Sequence, residues 1–177
     1  MPFHFLKYSA LSLLNNKKEI TINSKSLKVK RRFIKDKIII GIDPAKKKHQ
    51  AVIIDTAGIP ICNSFKFTNT YQGFNFYMWK IIKTHINDIN TDKVVFAVEI
   101  SINLWQKLCY FFSQQGFTVL MVSSLFTWHE RPKINNNFSR TDPKDALAVA
   151  NCARQGYFNF YKNYSTEIDA MHLLSIT

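Results

Sequence analysis

The hydrophobic positions near residue 40 occur in short runs rich in β-branched residues, which predict buried strands. The segments KIIIGID and HQAVIID are the first two such runs, and ICNSFKFT alternates between apolar and polar residues as a third. The turn TAGIP separates the second run from the third. Because these connections are too short for a crossover helix, the three strands are predicted to form an antiparallel meander.

Beyond residue 70 the apolar positions recur every three or four residues, which predicts a helix over residues 70–87. The segment KVVFAVE is apolar almost throughout and predicts a fourth, central strand. A second helix ends at Gly116, FTVLMV predicts a fifth strand, and a polar loop rich in asparagine follows. The segment DPKDALAVANCARQG predicts a further helix that ends at Gly156. The chain therefore passes from a meander to alternating helices and strands.

The predicted order β-β-β-α-β-α-β-α is typical of an α/β fold with a ribonuclease H-like mixed sheet flanked by helices. Residues 37–160 would form this domain. Residues 1–36 have no clean period and are predicted to be a basic, poorly ordered N-terminal extension. Residues 161–177 are predicted to begin a helical linker, with a helix that starts at Thr166.

Charge points to a polyanionic partner. The chain has 177 residues and a formal net charge of +12. Nine basic and two acidic residues lie between Lys17 and Lys37, so this segment carries more than half of the excess. Such a surplus favours nucleic acid, and the alternative is a basic surface without a specific partner.

Cysteine spacing and hydropathy limit the function classes. Cys62, Cys109 and Cys152 are far apart and show no zinc-binding spacing, which predicts reduced thiols in a cytoplasmic protein. No apolar run reaches the 18 or more residues of a membrane span, so no membrane partner is expected.

Four acidic residues stand at the ends of predicted elements. Asp43 ends the first strand, Glu99 ends the fourth, and Asp142 and Asp145 open a later helix. If the first and fourth strands are parallel neighbours, Asp43 and Glu99 lie at the same edge of the sheet. Residues three apart on a helix share a face, so a helix packed across that edge would bring all four carboxylates together.

Each of these residues also has a structural interpretation. Asp142 at the N-cap, Pro143 at the first helical position and Asp145 two residues later form a favourable helix start. Asp43 precedes a proline and suits a turn, and Glu99 suits a strand end in solvent. The positions of all four residues are compatible with one site at the same edge of the sheet, and this favours a joint role for the four carboxylates. Cleavage of a phosphodiester needs an activated oxygen nucleophile and a stabilised leaving oxygen, which two Mg²⁺ ions about 4 Å apart supply.

Several blocks of the sequence resemble the DEDD transposases of the insertion sequence 110 family, which includes the Piv/MooV-like DNA invertases. These blocks are IIIGIDPAKKKHQAVIIDTAGIPI, VVFAVEISINLW, GFTVLMV and RTDPKDALAVANCARQGYF, and they cover about residues 37–160. The segment EISIN after the glutamate departs from the family, whose glutamate is usually followed by Pro or Ala, Thr and Gly.

The resemblance implies an N-terminal RuvC-like domain of a DNA transposase. It implies that Asp43, Glu99, Asp142 and Asp145 are the catalytic set and bind Mg²⁺, with Mn²⁺ as the alternative ion. The implied reaction is phosphodiester cleavage and strand transfer. Family members are longer and carry a second domain with a serine that takes part in strand cleavage, so the resemblance implies a truncated transposase.

The implied partners are DNA at the element ends and target, a structured guide RNA, and a second copy of the chain, in the cytoplasm of a bacterial or archaeal cell. The predicted nucleic-acid contacts fall in three groups, which follow Asp43, flank the acidic helix, or lie in the basic segment. These residues are Lys46, Lys47, Lys48 and His49; Arg131, Lys133 and Arg140; and Lys30, Arg31 and Arg32.

Three other functions fit parts of the pattern. A stand-alone RuvC-like nuclease would cut branched DNA without a second domain. A non-catalytic fragment would bind nucleic acid only. An actin-like ATPase or sugar kinase shares the first elements, but it needs a Gly- and Ser/Thr-rich phosphate turn after GID, and PAKKKH contains none.

Overall fold

The computed structural model describes residues 26–101, 103–135 and 141–162. Three of the expectations above, for residues 1–25, for Arg140 and for the helix from Thr166, lie outside the described residues. The elements are α1 Leu27–Ile34, β1 Ile38–Asp43, β2 Lys48–Ile54, β3 Phe65–Thr68, a π-helical turn Gly73–Tyr77 that continues into α2 Met78–His85, β4 Val94–Ile100, α3 Gln106–Gln114, β5 Thr118–Ser123, α4 Ser124–Asn135, α5 Asp142–Arg154 and β6 Asn159–Phe160.

The described strands form one mixed sheet in the order β3-β2-β1-β4-β5-β6. β1 pairs antiparallel with β2 and parallel with β4, and β4 pairs parallel with β5. The meander comes first because its turns are short, and the parallel strands come later because α2 and α3 provide the crossovers. The fold is ribonuclease H-like, and this confirms the predicted class. The eight predicted elements occur in the predicted order, with further elements added between and around them.

Each face of the sheet buries its own apolar layer. On one face, the even-numbered residues of β1 pack with α2 and α3 around Phe96 and Phe112, whose rings stack at 3.7 Å. On the other face, the odd-numbered residues of β1 and β4 pack against α5 and against Ile34 of α1. Alternation along β1 therefore directs its last residue, Asp43, to the face that α5 covers.

Small residues allow α5 to lie unusually close to the centre of the sheet. A Cβ atom on Gly41 of β1 would stand 2.6 Å from the carbonyl oxygen of Ala146 and 2.7 Å from Cβ of Ala150. Ala97 is the neighbour of Gly41 on β4 and is fully buried in the same layer. This close approach sets the height of the first turn of α5 above the ends of β1 and β4.

The segment before β1 differs from the extension that was predicted to end at residue 36. Residues Leu27–Ile34 form α1, and Ile34 is 1% exposed in the core layer under α5. Lys30 donates a hydrogen bond to the carbonyl of Phe158, and the Nε of Arg31 donates one to the carbonyl of Gln155 at 3.0 Å. The described part of this segment therefore packs as part of the domain.

Besides α1, two further elements were not predicted. α4 occupies most of the stretch assigned to a polar loop, and β6 adds a two-residue edge strand beside β5. α4 has a weak apolar stripe and contains Pro132, so its sequence lacks the usual signals of a helix. Within the described residues, no helix is long and apolar enough to cross a membrane.

Candidate active site

The edge of the sheet where β1 and β4 end carries the candidate site. Ile42 of β1 pairs with Val98 of β4, so the next residues of these strands, Asp43 and Glu99, are neighbours across the ladder. Both side chains face α5, because they continue the odd-numbered positions that pack against it. Asp145 lies in the first turns of α5 at the same edge.

The carboxylates of Asp43, Glu99 and Asp145 are close enough to change the protonation of Asp43. Burial, the negative charge of Glu99, a side-chain hydrogen bond with Glu99 and the charge of Asp145 together raise the pKa of Asp43 to about 7. The guanidinium of Arg131 acts in the opposite direction with a smaller effect. Three carboxylates therefore share this edge of the sheet with the guanidinium of Arg131.

Arg131 of α4 enters this cluster from the side. Its side chain is 2% exposed, its Nε donates to Oδ1 of Asp145, and a second guanidinium nitrogen lies 3.8 Å from Oε1 of Glu99. This arrangement differs from the phosphate contact expected from the sequence, because the guanidinium faces inward and pairs with two carboxylates. Nothing in the sequence around Arg131 indicated this internal ion pair.

Thr127 also reaches the cluster from α4. Its hydroxyl donates a hydrogen bond of 2.8 Å to Oε1 of Glu99, and the side chain is fully buried. Thr127 and Arg131 are four residues apart and so share one face of α4. The two polar residues on one helix face are the signal in the sequence that could have indicated α4. The helix itself has no clear apolar periodicity.

The start of α5 is shifted by one residue from the predicted capping arrangement. Thr141 stands at the N-cap and Asp142 is the first helical residue. The amide of Asp145 donates to the carbonyl of Thr141 at 3.0 Å, and the carboxylate of Asp145 pairs with Arg131. The side chain of Asp142 lies outside the described part of the structure, so its place in the site stays a prediction.

The donor atoms of the cluster suit a hard cation, because carboxylate oxygens are the ligands that Mg²⁺ prefers. In the ranges that the structure describes, no three His, Cys, Asp or Glu side chains are grouped tightly enough to form a ready metal site. The positive charge within the cluster comes from Arg131 instead. The residue types fit the chemistry of Mg²⁺. The guanidinium of Arg131 neutralises part of the negative charge of these carboxylates.

Sequence comparison decides the family. The family model of the insertion sequence 110 DEDD transposases, described as "Transposase", matches residues 40–176. This chain belongs to the DEDD transposases of the insertion sequence 110 family. No curated protein matches the chain by sequence.

Solved structures that match this DEDD transposase chain include two of RuvC. RuvC from T. thermophilus in complex with a Holliday junction substrate is 13% identical with a TM-score of 0.45, and the match covers 71% of this chain and 99% of RuvC. Another Thermus thermophilus RuvC structure is also 13% identical with a TM-score of 0.45, over 70% of this chain and 99% of that one.

Some of the predicted nucleic-acid contacts of the transposase chain are exposed on the elements that carry the carboxylates, and others are not. Lys46, Lys47 and Lys48 are exposed on the turn and strand start that follow Asp43, and Lys133 is exposed on α4 with an ion pair of 2.8 Å to Glu130. These lysines lie on the elements that carry the site.

Two of the three predicted contacts on α1 have partners within the domain. Lys30 and Arg31 bond to carbonyls just beyond the C-terminal end of α5, which is roughly 15 Å from Asp145 at 1.5 Å per helical residue. Arg32 is exposed on the same helix α1. The structure therefore does not bring this basic group to the carboxylates.

His49 is buried and supports the turn after Asp43. Its Nδ1 accepts a hydrogen bond of 3.1 Å from the amide of Ala45, and its ring packs against Phe67 and Phe74. Burial lowers the pKa of His49 to about 4, so the ring is neutral at pH 7. This differs from the expected phosphate contact, because the imidazole is fully enclosed by the apolar layer.

Proposed function

We propose that this chain carries the metal-dependent centre of a DNA transposase, which cleaves a phosphodiester and transfers the strand. The observation that carries the proposal is the meeting of Asp43, Glu99 and Asp145 at one edge of a ribonuclease H-like sheet. Membership of a transposase family supports the same reaction class.

Asp43, Glu99, Asp142 and Asp145 would hold Mg²⁺ or Mn²⁺. When bound, such ions supply an activated oxygen nucleophile and stabilise the leaving oxygen. The chain's own contribution is to hold the carboxylates on β1, β4 and α5, which are rigid elements. Thr127 keeps Glu99 oriented through its hydrogen bond of 2.8 Å.

Lys46, Lys47 and Lys48 would bind the phosphate backbone of DNA beside the carboxylates. Replacing all three with alanine is expected to weaken binding to duplex DNA and to lower the slope of log K against log salt by about 0.9 for each lost phosphate contact. Fluorescence anisotropy over a range of salt concentrations measures both quantities. An unchanged slope would show that these lysines are only solvated.

The matched control for this experiment is a triple alanine variant on the opposite face of the sheet. Lys80, Lys83 and Lys107 are exposed on α2 and α3, which cover the face that α5 does not. Their removal lowers the net charge by the same amount. We expect a much smaller change in slope, because the distance from the site reduces their contact with bound DNA.

Asp145→Asn tests the metal centre. Mg²⁺ that binds only the folded state stabilises it by RT ln(1 + [L]/Kd), which is about 2.7 kcal/mol at 100 times Kd. In a chain of this size that energy raises Tm by roughly 5–11 °C. The wild type should show this rise and should nick branched DNA in Mg²⁺, and Asp145→Asn should lose both responses.

Asp88→Asn is the control for the loss of one carboxylate. Asp88 is exposed and pairs only weakly, at 3.0 Å with the exposed Lys93. This variant should keep the full response to Mg²⁺. A wild type that neither gains Tm nor cuts DNA with millimolar Mg²⁺ would leave only nucleic-acid binding as the function of this chain.

A further inference from the structure

The guanidinium of Arg131 lies where the carboxylate cluster has its greatest need of positive charge. It is 2% exposed, its Nε contacts Oδ1 of Asp145, and another of its nitrogens is 3.8 Å from Oε1 of Glu99. Burying an arginine is costly unless its charge is paired. The carboxylates provide the pairing, and Arg131 in turn holds them together without a metal ion.

A divalent cation bound by the same carboxylates would stand close to this guanidinium. Like charges at that distance repel strongly in a partly buried site, where water screens them poorly. One of the two oxygens of Asp145 already accepts a hydrogen bond from Nε, so a cation and the guanidinium would share this carboxylate. The two positive groups therefore compete for the same negative charge.

We propose that Arg131 is an internal counter-ion of the carboxylate cluster, which a divalent cation must displace, and that it thereby sets how tightly the chain binds metal. The inference rests on the metal centre proposed above. It assigns to Arg131 a positioning role toward that centre, in place of a contact with nucleic acid.

The contacts of Arg131 are incomplete, which makes its displacement feasible. Its Nη1 is buried and has no hydrogen-bond partner within the described residues. The approach to Glu99, at 3.8 Å, is longer than a hydrogen bond. Pro132 follows directly and cannot donate the helical hydrogen bond of its position, so α4 is held less tightly just after Arg131.

Thr127 allows the site to keep its shape when the guanidinium leaves. Its hydroxyl oxygen lies 2.8 Å from Oε1 of Glu99 and 3.0 Å from the carbonyl oxygen of Ser124, so its single proton is shared between these two acceptors. Glu99 therefore has a neutral partner that does not compete with a cation for charge. Movement of Arg131 alone would open the cluster.

Isothermal titration of the full chain with Mn²⁺ and with Mg²⁺ tests the proposal on the wild type, Arg131→Gln and Arg154→Gln. Removing a neighbouring charge should tighten metal binding in Arg131→Gln by about tenfold or more. Arg154→Gln is the matched control, because Arg154 is also an arginine but lies at the opposite end of α5 from Asp145. There it contacts the carbonyl of Thr56. Its metal affinity should equal that of the wild type.

The outcomes separate the two proposals. Equal or weaker metal binding in Arg131→Gln would overturn the counter-ion role and leave the metal centre standing. Absence of binding in the wild type and in Arg131→Gln would overturn both. Tighter binding in Arg131→Gln alone supports both.

A measurement on the wild type keeps the proposal testable if Arg131→Gln does not fold. The Nε proton of Arg131 should exchange slowly with solvent in EDTA, because it is buried and bonded to Asp145. On saturation with Mg²⁺ its NMR signal should shift and its exchange should become fast. A signal that stays protected at saturating Mg²⁺ would show that the guanidinium is not displaced.

Discussion

Replacing Gly41 with alanine is expected to lower the free energy of unfolding by about 3 kcal/mol, near the upper end for overpacking a core. The added Cβ would stand 2.6 Å from a backbone oxygen of α5 and 2.8 Å from the backbone nitrogen of Ala150, and neither atom can rotate away. The helix must therefore move off the sheet. Urea unfolding at pH 7.5 in EDTA measures the loss.

The same displacement should also weaken the site. Moving α5 away from β1 carries Asp145 away from Asp43, so Gly41→Ala should bind Mg²⁺ more weakly than the wild type does. Gly116→Ala is the control, since its Cβ would meet only Thr91 at 3.7 Å and the cost comes from a φ of 84°. That backbone cost is about 1–2 kcal/mol. A Gly41→Ala protein as stable as the wild type would show that α5 is not in close contact with β1.

Replacing Asp43 with asparagine is expected to stabilise the metal-free protein at neutral pH. Burial and the charges of Glu99 and Asp145 raise the pKa of Asp43 from 3.8 to about 7, so the folded state resists ionisation of this group. An asparagine is similar in shape and carries no charge. Thermal unfolding in EDTA at pH 7.5 should therefore give a higher Tm for Asp43→Asn than for the wild type.

The dependence of folding stability on pH gives the sign of the contribution of Asp43 directly. Between pH 4 and 7 the folded wild type holds a proton on Asp43 that the unfolded chain releases, so the contribution of this group to stability falls as the pH rises through that range. Asp43→Asn should lose this part of the slope. Asp55→Asn is the control, because within the described residues the carboxylate of Asp55 accepts turn hydrogen bonds from Ala57 and Ile59. A lower Tm for Asp43→Asn in EDTA would contradict the repulsion.

Mg²⁺ should reverse the order of the two proteins. A bound dication favours the ionised form of Asp43, so the wild type should gain stability as Mg²⁺ is added while Asp43→Asn should not. The curves of Tm against Mg²⁺ concentration should cross. Parallel curves would show that Asp43 does not contact the ion.

The strands were predictable because their signal is local. β1, β2, β4 and β5 each contain a run of apolar residues that is long enough to be buried on both faces, and such runs are visible without any knowledge of partners. The short turns between β1, β2 and β3 allowed only antiparallel pairing. The sheet contains the predicted meander, and the parallel pairing of β1 with β4, which the sequence analysis took as a condition, is seen in the structure.

The basic helix α1 was not predictable, because its charge pattern describes its surface and its packing depends on distant residues. Its sequence is rich in lysine and arginine, which usually indicates a solvated segment. In the folded chain Ile34 enters the core, and Lys30 and Arg31 bond to backbone carbonyls near residues 155–158. These partners are more than 120 positions away in the sequence.

The interior of the site was also hidden from the sequence. α4 exposes Leu125 and Trp128 and buries Thr127, Glu130 and Arg131, which inverts the usual pattern of a surface helix. The inversion is favourable only because the buried polar groups have partners. Thr127 and Arg131 contact carboxylates on β4 and α5, and Glu130 pairs with Lys133 of α4 itself. A search for apolar periodicity does not find a helix whose buried face is polar.

The sequence by itself determined the class of the fold and the carboxylates worth testing, since burial runs and scarce acidic residues at element ends are both properties of short segments. Tertiary structure alone decided how these charges are balanced. It brought Asp145 over the strand ends through the close contact at Gly41, enclosed His49, and turned Arg131 inward between Glu99 and Asp145. The physical reason is that the energy of a charge depends on which opposite charges lie within a few ångströms, and that neighbourhood exists only after the chain has folded.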